Sequence, residues 1–450
     1  MKYQDLSKYF LKFVRPIWYF HHESINQNIY WVDYNKLSDN NKKIIQYDNN
    51  YSNLIISDWD ASYQSLFKGI IVNENSHSRA NILVDISPND YYRFIRKYFS
   101  SFWILYSLVF RILSFYNPIK EIIALWKTRV VSSIDLFKDF SKNDNYINFN
   151  SSLLKDSPIV SVVIPTYNRY DVLENVLKDL VSQDYKNFEV IIIDQSENTP
   201  SRFYEKYNLN FKFVTLKYPA LWRARNLGVR QSISEYIIFL DDDSRINHDW
   251  ILEHLKCLDY FNVDISSGIS KSLIGSKVPK NYSYFHWSNQ LDTGNVLVKK
   301  RVFRKIGLYD EAFEKMRMGD GEFGLRSYLS GFKNISNPNA YRLHLKSHSG
   351  GLRNFGHWDA FHSESFFSYR PVPSVLYYWR KYWGGQSALL ACCFKIPFSI
   401  ISYRYKSNNL MLLLSLLLFF ILFPIIIIQI ILSWRASTRM LENGPMISSI

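Results

Sequence analysis

Cysteine is nearly missing from this 450-residue chain, which has three: Cys257, Cys392 and Cys393. So few, so spaced, exclude a disulfide scaffold or a cysteine-built zinc framework, and they favour a reducing, cytosolic setting for most of the mass. The adjacent pair Cys392–Cys393 reads as membrane-facing packing rather than a redox or lipidation site. Zinc-finger, RNA-recognition and basic heptad signatures are also missing. The excess of 54 Lys and Arg over 40 Asp and Glu, a net charge of +14, therefore points away from nucleic acid. It points instead to an anionic membrane surface or an anionic substrate such as a sugar nucleotide. Met1–Phe20 mixes Lys, Asp and Arg among its apolar residues, so no signal peptide is expected there.

Apolar and aromatic residues are abundant, at 47% and 17%. The first can fill a sizeable core, and the second suits both cores and membrane interfaces. The length suggests two or three units. Residues 1–140 are expected to form an α+β region. Its short apolar runs Ile29–Val32, Leu54–Ile56, Ile70–Val72 and Ile82–Val84 read as strands between turns, and residues 91–128 read as helical. Tyr98–Phe110 carries no charge but is too short to span a bilayer; a buried helix and a helix lying on the membrane surface both fit. Residues 141–157 read as a linker.

At the other end, 371–450 is expected to be membrane-associated. Residues 410–433 carry no charge and would reach about 36 Å as a helix, enough for a bilayer core. One transmembrane helix kinked at Pro424 is expected, and a re-entrant hairpin turning there is the alternative. Basic residues flank both ends (Arg404 and Lys406, then Arg435 and Arg439), so the charge pattern assigns no orientation.

The span 158–370 is patterned differently. Ile159–Ile164 is a continuous β-branched run of the kind buried on both faces. Val172, Leu173, Val176, Leu177, Leu180 and Val181 then repeat with helical spacing, behind an Asp171–Glu174 capping box. Phe188–Ile193, Phe211–Thr215 and Tyr236–Leu240 read as further strands, and Leu221–Ile233 as a helix. Such alternation predicts a right-handedly wound parallel sheet, whose ligands bind at the carboxyl ends of the strands. Thr166–Arg169, Asp194 and Asp241–Asp243 all fall at such ends.

Three adjacent aspartates after a strand suit a divalent cation, Mg or Mn, held against a diphosphate. A solvated acidic turn is the plain alternative. In Met318-Gly319-Asp320-Gly321-Glu322-Phe323, a carboxylate at a helix start can take a proton from an attacking hydroxyl. It can equally be a helix cap, and spacing does not choose between Asp320 and Glu322. His344 and His348 offer imidazoles to a metal. Arg223 and Arg225 suit phosphate contacts.

These pieces together resemble the family 2 glycosyltransferases of the GT-A fold. The resemblance rests on Val160-Ser161-Val162-Val163-Ile164-Pro165-Thr166-Tyr167-Asn168-Arg169, on Ile193-Asp194, on Ala224-Arg225-Asn226 with Gly228, and on Phe239-Leu240-Asp241-Asp242-Asp243. It continues in order through Gly294-Asn295, Gly307-Leu308-Tyr309-Asp310, Gly319-Asp320 and Gly331-Phe332. It covers residues 158–350 and implies an α/β, Rossmann-like nucleotide-sugar domain. It further implies that Pro165, Thr166, Asn168, Arg169, Asp194 and Gln195 line the nucleotide pocket and that Arg225 approaches the diphosphate. Asp241 and Asp242 would bind the donor, and Asp243 with His344 would hold the cation. Gly294, Asn295 and Glu322 would lie near sugar and acceptor, with Asp320 as the catalytic base.

Two positions depart from the family's pattern. Gln195 stands where a second acid is frequent, and its amide could read a base edge. Gly319 stands where Glu is common. The Gln-x-x-Arg-Trp motif of polymerising members does not occur; Gly350-Gly351-Leu352-Arg353 and Phe355-Gly356-His357-Trp358 occupy that region, which favours a single-addition transferase. The resulting expectation is an inverting transferase at a bacterial inner membrane, its catalytic domain cytoplasmic. The donor would be a UDP-sugar and the acceptor a lipid-linked or glycan hydroxyl. A non-catalytic sugar-nucleotide-binding assembly subunit is the alternative.

Overall fold

The computed structural model describes residues 5–25, 32–72, 83–198, 202–272, 278–346, 360–361, 365, 367–401 and 408–450. It divides into two compact units, 1–143 with 386–391 and 144–385 with 392–450.

The first unit is helical: α1 (Leu6–Leu11), α2 (Asp39–Ile44), α3 (Leu54–Phe67), α4 (Pro88–Tyr98), α5 (Ser101–Leu113) and α6 (Pro118–Lys127). Among the described residues no strand precedes Val160, so the expected α+β region is corrected to an α region. Leu54–Ile56 opens a helix because the Asn53 side chain caps the Ile55 N–H at 2.8 Å and turns the chain at that point. Ile70 follows a helix end: Gly69 takes a positive φ of 68° and the Ile70 N–H bonds back to the Ser65 carbonyl at 3.0 Å. Of the remaining proposed strands, residues 29–31 and 82 lie outside the described set, and the described Val32, Leu83 and Val84 belong to no strand. Residues 91–128 are helical as expected, in three pieces. Pro88 and a reciprocal Ser87–Asp90 capping box start α4. In the core, Phe10 stacks on Trp59 and Tyr91, and Phe94 lies tilted against Trp59.

In the second unit a nine-stranded sheet runs β3-β2-β1-β4-β8-β6-β9-β5, with β7 also on β9. The strands are β1 (Val160–Thr166), β2 (Phe188–Asp194), β3 (Phe211–Thr215), β4 (Tyr236–Leu240), β5 (Ser244–Ile246), β6 (Ile265–Ser272), β7 (His286–Trp287), β8 (Asn295–Lys299) and β9 (Asn334–His344). Ahead of the last strand the helices of this unit are α7 (Ser152–Asp156), α8 (Tyr170–Val181), α9 (Leu221–Gln231), α10 (Trp250–Tyr260), α11 (Lys300–Ile306) and α12 (Gly319–Leu329). The first four strands are parallel, and β1 and β2 are buried along their whole length. The sheet is not parallel throughout: β8 runs antiparallel to β4 and β6, and β5 antiparallel to β9. The expected capping box on α8 does not form. Arg169 is the N-cap residue and Asp171 sits inside the first turn.

Beyond α13 (Pro373–Lys395), the apolar tail forms α14 (Asn409–Ile421) and α15 (Phe423–Asn443), bent by 83°. No single described helix is long and apolar enough to cross a membrane; the bent pair has the length and composition of a broken span or a re-entrant loop. The kink expected at Pro424 is a break between two helices, a form that fits both the kinked span and the re-entrant hairpin read from sequence. Pro424, lacking an N–H and clashing with the preceding turn, sits at the start of α15 and marks the break. Arg404 and Lys406 lie outside the described residues.

Candidate active site

β1 and β4 are neighbours, so the loops after Thr166 and Leu240 emerge side by side. The turn 241–243 leads directly into β5, whose Ser244 is paired with His344 at the end of β9. The Asp243 carbonyl accepts from the Leu345 N–H at 2.9 Å. The pairing of short β5 with the end of β9 thus brings the imidazole beside the acidic turn. His344 Nε2 lies 3.2 Å from Asp243 Oδ1. Ligand atoms of Asp241, Asp243 and His344 lie within 4.8 Å of one another, so these three side chains can hold one metal ion.

Arginines compensate the acids. Asp241 accepts from Arg225 Nη2 at 2.9 Å and from Arg342 Nη1 at 2.8 Å. Its burial opposes ionisation, but Arg342 and Arg225 outweigh that and hold its carboxyl well below the usual range. Asp242 accepts from Thr166 Oγ1 at 2.9 Å and Arg169 Nη1 at 3.2 Å. Burial dominates there, Arg169 only partly offsets it, and the neighbouring Asp243 adds to it; the carboxyl is pushed up to about 7. Asp243 is also buried, yet its bond and charge contact with His344 bring it below its ordinary value.

A cavity of about 690 Å³ opens over this turn. Of the residues proposed from sequence, Pro165, Thr166, Arg169, Arg225, Asp241, Asp242, Asp243, Asp320 and His344 line it. Asp320 stands in the first turn of α12, where the Gly321 N–H donates to its Oδ1 at 2.8 Å. Burial raises its carboxyl, and Arg317 pulls the other way. Gly319 has a steric reason: a Cβ there would lie 2.5 Å from the Trp222 indole. Where a larger side chain would stand, Trp222 does, anchored by its Nε1 on the Phe313 carbonyl at 2.9 Å. Gly294 is similar, since a Cβ would meet Asp241 Oδ2 at 2.2 Å and Arg342 Nη1 at 2.3 Å.

Other proposed residues face elsewhere. Asn295 is fully buried, accepting from Trp250 Nε1 at 2.8 Å and donating to the carbonyls of Ile269 and Ala340 at 2.9 Å each. Glu322 is fully buried with Arg326, Lys381 and Tyr382, the last donating at 2.7 Å. Burial works against its charge, but Arg326 and Lys381 bring its carboxyl below the ordinary value. Asp194 accepts from Tyr170 Oη at 2.7 Å and the Ser196 N–H at 3.0 Å. Gln195 Oε1 accepts from the Ala220 N–H at 2.7 Å, so its amide ties two loops together. Asn168 is exposed at φ 51°, a left-handed position that asparagine tolerates, and its N–H donates to Ser196 Oγ at 2.8 Å.

The sequence reading missed Trp222, Arg342 and Asp292 in the cavity wall. Arg342 is buried and bridges Asp241 to Asp292, reaching the latter's Oδ2 at 3.0 Å. Its alternation with His344 along β9 was the available signal, because residues two apart share a strand face. His348, Gly350–Arg353 and Phe355–Trp358 lie outside the described residues.

Residues 161–315 match the family Glycosyl transferase family 2. An uncharacterised glycosyltransferase of Rickettsia conorii is 30% identical over 141 residues, 31% of this chain and 23% of the relative. The poly(ribitol-phosphate) beta-N-acetylglucosaminyltransferase TarS of Staphylococcus aureus is 29% identical over 27% of this chain and 22% of its own. The chain thus spans under a quarter of the length of these curated relatives. A crystal structure of S. aureus TarS 1-349 with UDP-GlcNAc covers 57% of this chain and 71% of its own, at 20% identity and a TM-score of 0.41. The mannosyltransferase PcManGT of Pyrobaculum calidifontis, solved with GDP-Man and Mn2+, covers 66% and 91% at 15% identity and a TM-score of 0.42.

Proposed function

We propose that this family 2 domain transfers a sugar from a nucleoside-diphosphate sugar to an acceptor hydroxyl, with inversion at the anomeric carbon. The observation that carries the reading is the lining of one cavity by Asp241, Asp243, His344 and Asp320. An acidic cation site and a separate carboxylate facing the same space are what such a transfer needs.

Asp241, Asp243 and His344 fit a divalent ion by donor type, two hard carboxylates and one imidazole. The imidazole suits Mn better than Mg. When bound, the ion neutralises charge on the leaving diphosphate. Arg225, held on Asp241, is the chain's own cation for the same group. Asp320 acts as the base: the acceptor oxygen attacks the anomeric carbon, its proton passes to the Asp320 carboxylate, and the carbon–oxygen bond to the diphosphate breaks on the opposite face. A carboxyl raised by burial is a stronger proton acceptor than a solvated one. The Gly321 N–H occupies one oxygen and leaves the other for the hydroxyl.

The TarS relative is a beta-N-acetylglucosaminyltransferase by name, so a nucleotide-activated N-acetylglucosamine is the first donor to try. The acceptor is a lipid-linked or glycan hydroxyl of a bacterial surface polymer. The bent apolar pair α14–α15 holds the chain to the inner membrane, its catalytic domain on the cytoplasmic side. The test is release of nucleoside diphosphate from a panel of nucleotide sugars, with and without Mn, for the unaltered chain and for Asp320→Asn and Asp243→Ala. Full rates in both variants would remove the assignment. Nucleotide binding without turnover across the panel would replace it with a sugar-nucleotide-binding assembly subunit.

A further inference from the structure

Helices α5 and α6 are built inside out for a protein in water. Their inward faces carry charge: Arg111 and Glu121 are 1% and 2% exposed and joined by two bonds, Nε to Oε2 at 2.6 Å and Nη2 to Oε1 at 2.9 Å. Tyr92 Oη donates to the same carboxylate at 2.9 Å, and the Arg111 guanidinium lies over the rings of Tyr91 and Tyr116 at 4.1 and 4.0 Å. Their outward faces are apolar. Phe102, Leu105, Val109 and Ile112 are exposed at helical spacing along α5. Ile119, Ile122, Ile123 and Trp126 do the same along α6. At the turn between them Phe115, held at φ 64°, is 98% exposed.

Proteins bathed in water rarely leave so continuous an apolar surface exposed while burying an ion pair behind it. The arrangement suits a solvent that is itself apolar. The charges identify that solvent further. Between residues 101 and 134 the exposed charged side chains are Lys120, Lys127 and Arg129, all positive. Arg129 stacks on the Trp126 ring at 3.8 Å. An aromatic tip, apolar flanks, and basic groups with a tryptophan beside them match acyl chains below and anionic headgroups above.

We propose that the α5–α6 hairpin is a lipid-docking element, which inserts its Phe115 tip and the outward faces of both helices into one leaflet of an anionic bilayer. The buried Arg111–Glu121 pair holds the two helices as one rigid wedge, so insertion needs no refolding of the unit. This element is separate from the C-terminal apolar pair and does not depend on the transferase reading.

The test uses the full chain with Cys393→Ser, leaving only the buried Cys257 and Cys392, and an environment-sensitive fluorophore on Phe115→Cys. The same label on Ile233→Cys, an exposed site in the other unit, is the control. Vesicles of phosphatidylcholine, with or without phosphatidylglycerol, carry a quencher in the acyl region. Docking predicts a blue shift and quenching at position 115 but not at 233, stronger with phosphatidylglycerol. Adding Ile122→Glu should weaken that signal roughly tenfold or more, the transfer cost of one such side chain. Vesicle binding with the label at 115 still in water overturns the proposal, since the C-terminal pair alone would then be the anchor. Shielding of that label without vesicles, growing with protein concentration, also overturns it in favour of a second copy of the chain.

Discussion

In the helical unit, Asp60 is fully buried and accepts from Lys97 Nζ at 2.5 Å, Tyr98 Oη at 2.7 Å and Tyr51 Oη at 3.0 Å. Arg93 grips the neighbouring Asp48 through two bonds at 2.7 and 2.8 Å. In the sheet unit, Asp241, Asp242 and Asp243 are also paired with cations, yet all three border a cavity of about 690 Å³. Both clusters look alike as lists of charges. They differ in what the remaining lone pairs face: tyrosine hydroxyls in one, open space in the other. Buried charge by itself therefore marks rigidity as readily as chemistry, and the adjoining cavity is what separates the two.

That distinction can be tested from both sides. The largest effect belongs to Asp320→Asn, which should cost about 10³-fold in turnover while leaving donor binding by calorimetry near normal. Loss of binding instead would show a structural carboxylate. Asp243→Ala should lower the Mn-dependent rate by about 10²-fold and flatten the response to added Mn; an unchanged metal titration would count against the cation site. Lys97→Met leaves the buried Asp60 carboxylate without its cation and should destabilise the helical unit by about 3–5 kcal/mol, read by denaturant unfolding, with nucleotide binding retained. If the same variant abolished nucleotide binding at temperatures where the chain stays folded, the two clusters would not be separable.

The smallest effect concerns pH. Asp242 is raised to about 7 when folded, above the ordinary carboxyl value of 3.8. Between those values the folded chain keeps a proton that the unfolded chain has lost. Stability from this group is thus full in acid and lost as pH rises toward 7. Asp242→Asn should raise the melting temperature of metal-free protein at pH 8, by a margin that narrows towards pH 5. A margin that widened in acid would reverse the assigned direction.

Much of the parallel half was legible in sequence. Phe211–Thr215 and Tyr236–Leu240 form strands over the expected residues, because short runs rich in aromatic and β-branched residues favour a strand. The acidic turn was visible for the same reason, as three carboxylates stand out after such a run. Side chains whose direction is set by distant neighbours were not legible. Asn295 and Glu322 carry the right chemistry but turn into the core, toward Trp250 and Arg326. Arg342 became visible as a site residue only once β9 was laid beside β5 and β6. In residues 1–140, short apolar runs suit a helix as well as a strand, and the decisive signals were local ones at Asn53 and Gly69.

The three-residue pairing of Ser244, Arg245 and Ile246 with His344, Leu343 and Arg342 fixes which way two functional side chains point. Because alternate residues share a face, deleting a single residue ahead of Arg342 would present Leu343 to the acidic turn and turn both Arg342 and His344 away together. Chain length at this spot is therefore as constrained as residue identity, and natural variants of the domain should tolerate insertions elsewhere far more readily than within 334–344.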